Sequence, residues 1–87
     1  MTSTQIAADI DAERKRQDAK WGEQNHSPSV WLAVISEELG EASETFLKWN
    51  FGGLSKEQFA HFREELVHVA AVSIAAIESL DRQKSRQ

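Results

Sequence analysis

SEELGEASE, residues 36–44, places four carboxylates within nine residues of one predicted helix. On a helix, Glu38 and Glu41 (i, i+3) share a face, as do Glu37 and Glu41 (i, i+4), so the acidic groups converge. Like charges at these spacings repel each other by roughly 0.2–0.5 kcal/mol per pair. A divalent cation bound through oxygen ligands would remove that repulsion. The alternative interpretation is a solvated acidic face, because glutamates are common on helices.

The helix that carries this acidic stretch is predicted to run from Pro28 to about Asn50. Ser27 is a suitable N-cap before Pro28 at the first helical position. Gly52 and Gly53 follow the predicted end, where glycine accepts the left-handed conformation of a C-cap. The spacing of three and four residues predicts a buried apolar stripe along this helix, formed by Trp31, Ile35, Leu39, Ala42, Phe46 and Trp49.

Two further helices are predicted, one on each side of the acidic helix. The first runs from Ser3 to Ala19, after a capping-box pattern at Thr2 and Gln5; its apolar stripe starts at Ile6 and Ile10. The third starts at a second capping box, residues 55–58, and continues to about Gln83. Its predicted buried stripe contains Phe59, Phe62, Leu66, Val69, Ala76, Ile77 and Leu80. Residues 81–87 are expected to fray.

The short connection at residues 51–55 predicts an antiparallel hairpin of the second and third helices. This arrangement could bring Glu65 and His68, again at i and i+3, opposite Glu38 and Glu41. No strand pattern is present, so residues 1–87 are predicted to form one all-α domain. A chain of 87 residues without cysteine buries a small core and has no disulfide to support it. We therefore expect a four-helix-bundle core completed by homodimerisation, as a dimer or a dimer of dimers.

Composition restricts the classes of partner. The formal net charge is −4, which argues against binding to a nucleic acid polymer. The alternative, DNA binding through Arg14, Lys15 and Arg16, predicts an affinity that falls steeply with salt. No signal peptide is visible and the longest apolar run, residues 66–77, is too short and too interrupted to span a membrane. We expect a cytoplasmic protein that does not contact a membrane.

The two acidic motifs together resemble those of the MazG-like all-α nucleoside triphosphate pyrophosphohydrolases, and are also similar to the dCTP pyrophosphatase branch. The family pattern is EExxE, a spacer and ExxD. Here the first motif is residues 37–41, 23 residues intervene, and the second motif is residues 65–68. The resemblance covers most of the chain, from Trp21 onward, and includes His26 and Trp49 on either side of the acidic helix.

The resemblance implies hydrolysis of a nucleoside triphosphate between its α and β phosphates, giving a monophosphate and pyrophosphate. It implies a Mg²⁺ cofactor, with Mn²⁺ as a possible substitute, and a deoxynucleotide as the substrate in nucleotide-pool cleaning. Glu37 and Glu38 would be the catalytic carboxylates. The implied metal ligands are Glu38, Glu41, Glu65 and His68. The implied substrate-binding residues are Trp21, His26, Lys48 and Trp49.

The last ligand departs from the family pattern, because His68 stands where the family has aspartate. A neutral imidazole suits Mn²⁺ better than Mg²⁺. Three outcomes stay open: His68 binds a softer metal, it acts indirectly while Glu37 compensates, or the site is degenerate and the chain is a helical dimerisation or regulatory module. His61 lies on the same predicted face and is a weak indication of a Glu/His transition-metal site.

Several other side chains have two interpretations. Trp21 could stack on a flat ligand or cover the edge of the core. Lys48 lies in the last predicted turn, where the helix dipole favours a cation, and could alternatively contact phosphate. Arg14, Arg16 and Lys20 belong either to a solvated face of mixed charge or, for one or two of them, to a phosphate contact.

Overall fold

The structure is a computed structural model that describes residues 3–48 and 55–85. Over those residues it consists of helices and short loops, without a strand, which confirms the predicted all-α class. The helices are α1 (Ser3–Trp21), α2 (Pro28–Lys48) and α3 (Lys56–Ser85). Thr2, Trp49, Asn50 and the glycines predicted to end α2 lie outside the described residues.

The starts of α2 and α3 use the caps that the sequence predicts, whereas α1 ends at Trp21, two residues beyond the predicted Ala19. The Ser27 hydroxyl accepts a hydrogen bond from the Val30 amide at 3.4 Å at the start of α2. At the start of α3, Gln58 N donates to Ser55 Oγ at 3.2 Å, and Ser55 N donates to Gln58 Oε1 at 2.7 Å. This reciprocal pair is the predicted capping box. At the end of α1, Gly22 has φ of 72° and its amide donates to the Asp18 carbonyl.

The third helix is the element against which the other two pack. Contacts join α2 to α3 and α1 to α3. Phe46, late in α2, lies against Phe62, early in α3, whereas Trp31, early in α2, packs on Val72 and Ala76. This order fits the predicted antiparallel hairpin, and the Trp31 cluster is its core.

Ion pairs hold α1 on α3. Arg14 contacts Glu78 at 2.9 Å, and Arg63 contacts Asp9 at 2.8 Å. Of the residues of α1, Glu13 is the buried one. Within the described part of the chain, no Cα atom of α1 lies within 8 Å of a Cα atom of α2. A groove therefore opens between them, with α3 as its floor.

The end of α3 is ordered as a helix to Ser85, so the fraying predicted from residue 81 is not seen over residues 81–85. Arg82 and Gln83 bond to the loop that joins α1 and α2. Arg82 Nη2 donates to the Gln24 carbonyl at 3.2 Å, and Gln83 Nε2 donates to the His26 carbonyl at 2.7 Å. These bonds replace the solvent contacts that a free terminal turn would make.

The predicted buried stripes are only partly covered in the protomer. Trp31 and Ala42 are buried on α2, but Leu39 is 52% exposed. On α3, Ala76 is buried, but Phe59 is 60% exposed. A single partner helix covers only part of a stripe this wide. None of the described helices combines the length and the apolar composition needed to cross a lipid bilayer.

Candidate metal centre

Three side chains from the two acidic motifs converge at the interface of α2 and α3. Glu38 comes from α2, and Glu65 and His68 come from α3. One potential ligand atom from each lies within 4.8 Å of the other two, and all three side chains are half-buried. Two ligands of one Mg²⁺ or Mn²⁺ ion lie at most about 4 Å apart, twice the metal–ligand distance. A small inward movement of these side chains would bring them to coordination distance.

The electrostatic environment of this cluster fits a divalent cation. Glu65 Oε2 is buried and makes no hydrogen bond to any of the described residues. Burial and, next, the charge of Glu41 raise the pKa of the Glu38 carboxyl above its ordinary value, although His68 acts in the opposite direction. His68 Nδ1 lies 3.7 Å from Glu65 Oε2, beyond hydrogen-bond distance, so a cation bound by both atoms would satisfy that oxygen. Two carboxylates and an imidazole form a mixed donor set that suits Mn²⁺ better than Mg²⁺.

Glu13 of α1 is a functional candidate that the sequence reasoning missed. It is 9% exposed, and its Oε1 lies 3.7 Å from His68 Nε2. The hydrogen bond from Arg16 lowers the pKa of the Glu13 carboxyl despite its burial, so the group is held as a carboxylate. Glu13 lies three residues after Ile10, on the face that Ile6 and Ile10 begin, but this spacing does not show which part of α1 packs on α3.

The remaining acidic candidates lie around the cluster. Glu37 is exposed and lines the groove next to Glu38. Glu41 is exposed, and among the described residues it does not belong to the group that could share one ion. Its role as a ligand stays a prediction. His61 Nε2 lies 3.6 Å from Glu65 Oε1, and among the described residues His61 is not a member of the group that could share one ion.

The groove between α1 and α2 leads to this cluster. It has a volume of about 760 Å³, and both Glu38 and His68 line it. Trp21 also lines it and is 60% exposed, so this ring does not cover the core edge. The Lys20 ammonium lies 4.7 Å from the centre of the Trp21 ring. An aromatic face and a cation therefore lie in the same groove as the acidic cluster.

The other basic residues of the groove are already paired with acids. Arg14 contacts Asp18 at 3.1 Å as well as Glu78. Arg16 donates two hydrogen bonds to Glu13, at 2.8 and 2.6 Å, while more than half of its side chain stays exposed. Of these two side chains, Arg16 is the more accessible to a bound anion.

The other predicted substrate-binding residues have different positions. His26 lines the groove and is half-buried; its ring meets Trp31 edge-on, with 4.8 Å between ring centres. Lys48 is exposed, contacts Glu44 at 3.6 Å and does not line this groove. That position agrees with the helix-end interpretation of Lys48 better than with a phosphate contact. Trp49 lies outside the described residues.

Comparisons with models of protein families, with curated proteins and with solved structures gave no match for this chain.

Proposed function

We propose that this protein is a metal-dependent nucleoside triphosphate pyrophosphohydrolase of the MazG-like type. It would cleave a nucleoside triphosphate, in particular a deoxynucleotide, into a monophosphate and pyrophosphate. The observation that carries the proposal is the convergence of Glu38, Glu65 and His68 from two separate motifs, with Glu65 Oε2 buried and without a hydrogen bond within residues 3–48 and 55–85. A solvated acidic face does not account for that atom, because a surface carboxylate would have water as its partner.

Each residue of the cluster has a distinct part in this proposal. Glu38, Glu65 and His68 would hold the divalent cation, with the exposed carboxylate of Glu41 as a fourth candidate ligand. A bound divalent cation would offset the charge of the triphosphate and lower the pKa of an attacking water molecule. Glu37, which is exposed in the groove, would accept the proton of that water. No covalent bond between the chain and the substrate is needed.

The groove has the size and the chemistry expected for a nucleotide site. Its volume of about 760 Å³ lies within the usual range of ligand pockets, roughly 300–1,000 Å³. The exposed face of Trp21 would stack on the base, with His26 as a nearby polar contact. Lys20 and Arg16 would face the phosphates, since both are basic and line the groove.

The proposed assembly is a homodimer in which the two hairpins form a four-helix bundle. On α2, exposed apolar residues repeat at intervals of seven, at Leu32, Leu39 and Phe46. On α3, three exposed apolar residues are separated by seven and then fourteen positions. The α3 residues are Phe59, Leu66 and Leu80. A seven-residue repeat keeps apolar side chains on one line along a helix, which is the pattern of helix-packing seams. We call these residues the two seams.

The test is pyrophosphate release from a panel of ribo- and deoxynucleoside triphosphates, measured in parallel with Mg²⁺ and with Mn²⁺. We expect turnover, with Mn²⁺ at least as effective as Mg²⁺ because of His68. Glu38→Ala should lower kcat by about 100-fold or more, which is the usual effect of removing a catalytic acid or base. Glu44→Ala is the matched control, since Glu44 lies on the same helix but pairs with Lys48.

Two results separate the proposal from its rival. A His68→Asp variant that gains activity while the wild-type protein is inactive with both metals would indicate a switched-off scaffold, that is, a dimerisation or regulatory module. Equal loss of activity in Glu38→Ala and Glu44→Ala would contradict the assignment of the site.

A further inference from the structure

The Glu13 carboxylate accepts three side-chain hydrogen bonds from neighbouring residues of α1. Arg16 Nε donates to its Oε1 at 2.8 Å, Arg16 Nη2 donates to its Oε2 at 2.6 Å, and Gln17 Nε2 donates to Oε2 at 3.1 Å. All three bonds come from the same helix. They fix the orientation of the carboxylate, and Oε1 is the oxygen that faces His68.

The two ring nitrogens of His68 face different carboxylates. Nδ1 lies 3.7 Å from Glu65 Oε2, on the side of the candidate ligands. Nε2 lies 3.7 Å from Glu13 Oε1, on the side of α1. A neutral imidazole carries a proton on one nitrogen and a lone pair on the other, so it can donate in one of these directions only. A histidine that binds a metal generally donates its other N–H to a carboxylate or carbonyl.

We infer that Glu13 is the positioning residue for His68: it accepts the Nε2–H bond and thereby leaves the Nδ1 lone pair facing the position shared by Glu38 and Glu65. This inference rests on the metal site of the proposed function. The 3.7 Å separation exceeds a hydrogen bond by about 0.5 Å, which a small rotation of the His68 or Glu13 side chain would close. The site then selects cations that accept one nitrogen with two carboxylates, such as Mn²⁺ or Zn²⁺.

Two other arrangements compete with this one. Glu64 Oε1 lies 4.0 Å from His68 Nε2, but its side chain is 65% exposed. In the second, His68 donates Nδ1–H to Glu65, and its Nε2 lone pair then points at Glu13. A cation bound there would lie between α1 and α3, away from Glu38.

The tautomer can be observed without nucleotide. The chain has three histidines, so spectra of protein labelled with ¹⁵N in histidine are simple, and His26→Asn and His61→Asn variants complete the assignment. Zn²⁺ is the probe, because it is diamagnetic and accepts oxygen and nitrogen ligands. We expect long-range ¹H–¹⁵N spectra to show Zn²⁺ on Nδ1 of His68 and a proton on Nε2. A proton on Nδ1 with Zn²⁺ on Nε2, or no response to Zn²⁺, would overturn the inference.

Metal affinity gives the second measurement. Calorimetric titration with Zn²⁺ and Mn²⁺ should show that Glu13→Gln raises Kd about tenfold or more, as for other carboxylates that orient a ligand histidine. Glu64→Gln, which removes the same charge at a similar distance from Nε2, should change Kd less than about threefold. Circular dichroism verifies that both variants fold.

The outcomes distinguish this inference from the proposed function. If Glu13→Gln lowers only thermal stability and leaves both Kd and the His68 tautomer unchanged, Glu13 is structural and the positioning role is wrong. In that case, pyrophosphate release by the wild-type protein still supports the enzyme. If the tautomer and the Kd change are as expected while no nucleotide is hydrolysed, the positioning role stands and the hydrolase proposal fails.

Discussion

The ionised carboxylate of Glu38 destabilises the metal-free folded chain, but it is also a candidate ligand for a cation. Its carboxyl is half-buried, close to the charges of Glu41, Glu65 and Glu37 as well as to His68. Because the pKa of Glu38 in the folded chain is raised, its ionised form is less favourable in the folded than in the unfolded chain. At neutral pH the group therefore lowers the free energy of unfolding of the metal-free protein.

Glu38→Gln should raise the thermal midpoint of the metal-free protein by a few degrees, because it removes a charge that the folded state disfavours. The same substitution should abolish any rise in midpoint on addition of Mn²⁺, since a bound ligand stabilises only a site that can hold it. Thermal melts with EDTA and with Mn²⁺ measure both effects. A lower midpoint for Glu38→Gln in EDTA would mean that the carboxylate is stabilising and that no cation is needed there.

The residues of the site differ in how far the sequence could predict them. Glu65 and His68 at i and i+3, on a helix antiparallel to that of Glu38, follow from local periodicity and a short connection. Glu13 does not follow from these, because its role depends on where α1 packs on α3. That position is set by ion pairs between residues more than fifty positions apart, Arg63 with Asp9 and Arg14 with Glu78. Local patterns do not specify such pairs.

At the scale of the elements, the two described glycines have opposite effects on stability. Gly22 ends α1 with φ of 72°, a conformation that costs a residue with a Cβ atom about 1–2 kcal/mol. Gly40 lies inside α2, and a Cβ built there meets no heavy atom of the described residues within 4 Å, apart from the adjoining backbone of α2 itself. A glycine in a helix interior is destabilising by roughly 0.5–1 kcal/mol relative to alanine.

Gly22→Ala should therefore lower the free energy of unfolding by about 1 kcal/mol, and Gly40→Ala should raise it by about 0.5–1 kcal/mol. The two variants add the same methyl group, so each is the control for the other. Urea denaturation followed by circular dichroism measures the difference. A destabilising Gly40→Ala would show that this position packs against something outside the protomer.

At the scale of the elements, the sequence predicted helix ends better than helix faces. Caps such as Ser27 and Ser55 act on amides three residues away, so a local pattern specifies them. The apolar stripe of α2 is a different case. Trp31 is buried and Leu39 is half-exposed, although both fit the same periodicity. Which part of a wide stripe is covered depends on the number of neighbouring helices, and the sequence pattern does not contain that number.

The exposed seams are a property of the whole molecule, because they lie on both helices of the hairpin. Leu39 on α2 and Leu66 on α3 are each about half exposed. An apolar line on each of two adjacent helices is the surface that a second hairpin covers in a four-helix bundle. The proposed homodimer would bury both seams.

Leu39→Glu should convert the proposed dimer into a monomer, because it would place a charge in the proposed apolar interface. Leu47→Glu is the control: Leu47 is on the same helix and 63% exposed, but it lies outside the seven-residue repeat. Sedimentation equilibrium measures the mass of each variant, and circular dichroism verifies the fold. A monomeric wild-type protein, or equal dissociation in both variants, would contradict the assembly.

Because α3 is one continuous helix, an insertion or deletion inside it changes the orientation of its two halves relative to each other. The helix carries Glu65 and His68 in its first half and holds the loop at Gln24 and His26 in its last turns, through Arg82 and Gln83. Inserting one residue between these halves would turn one relative to the other by about 100°. The acidic cluster and the loop anchor would then no longer face their partners together. Homologous chains should therefore keep the spacing from His68 to Arg82 constant and vary in length at the loops.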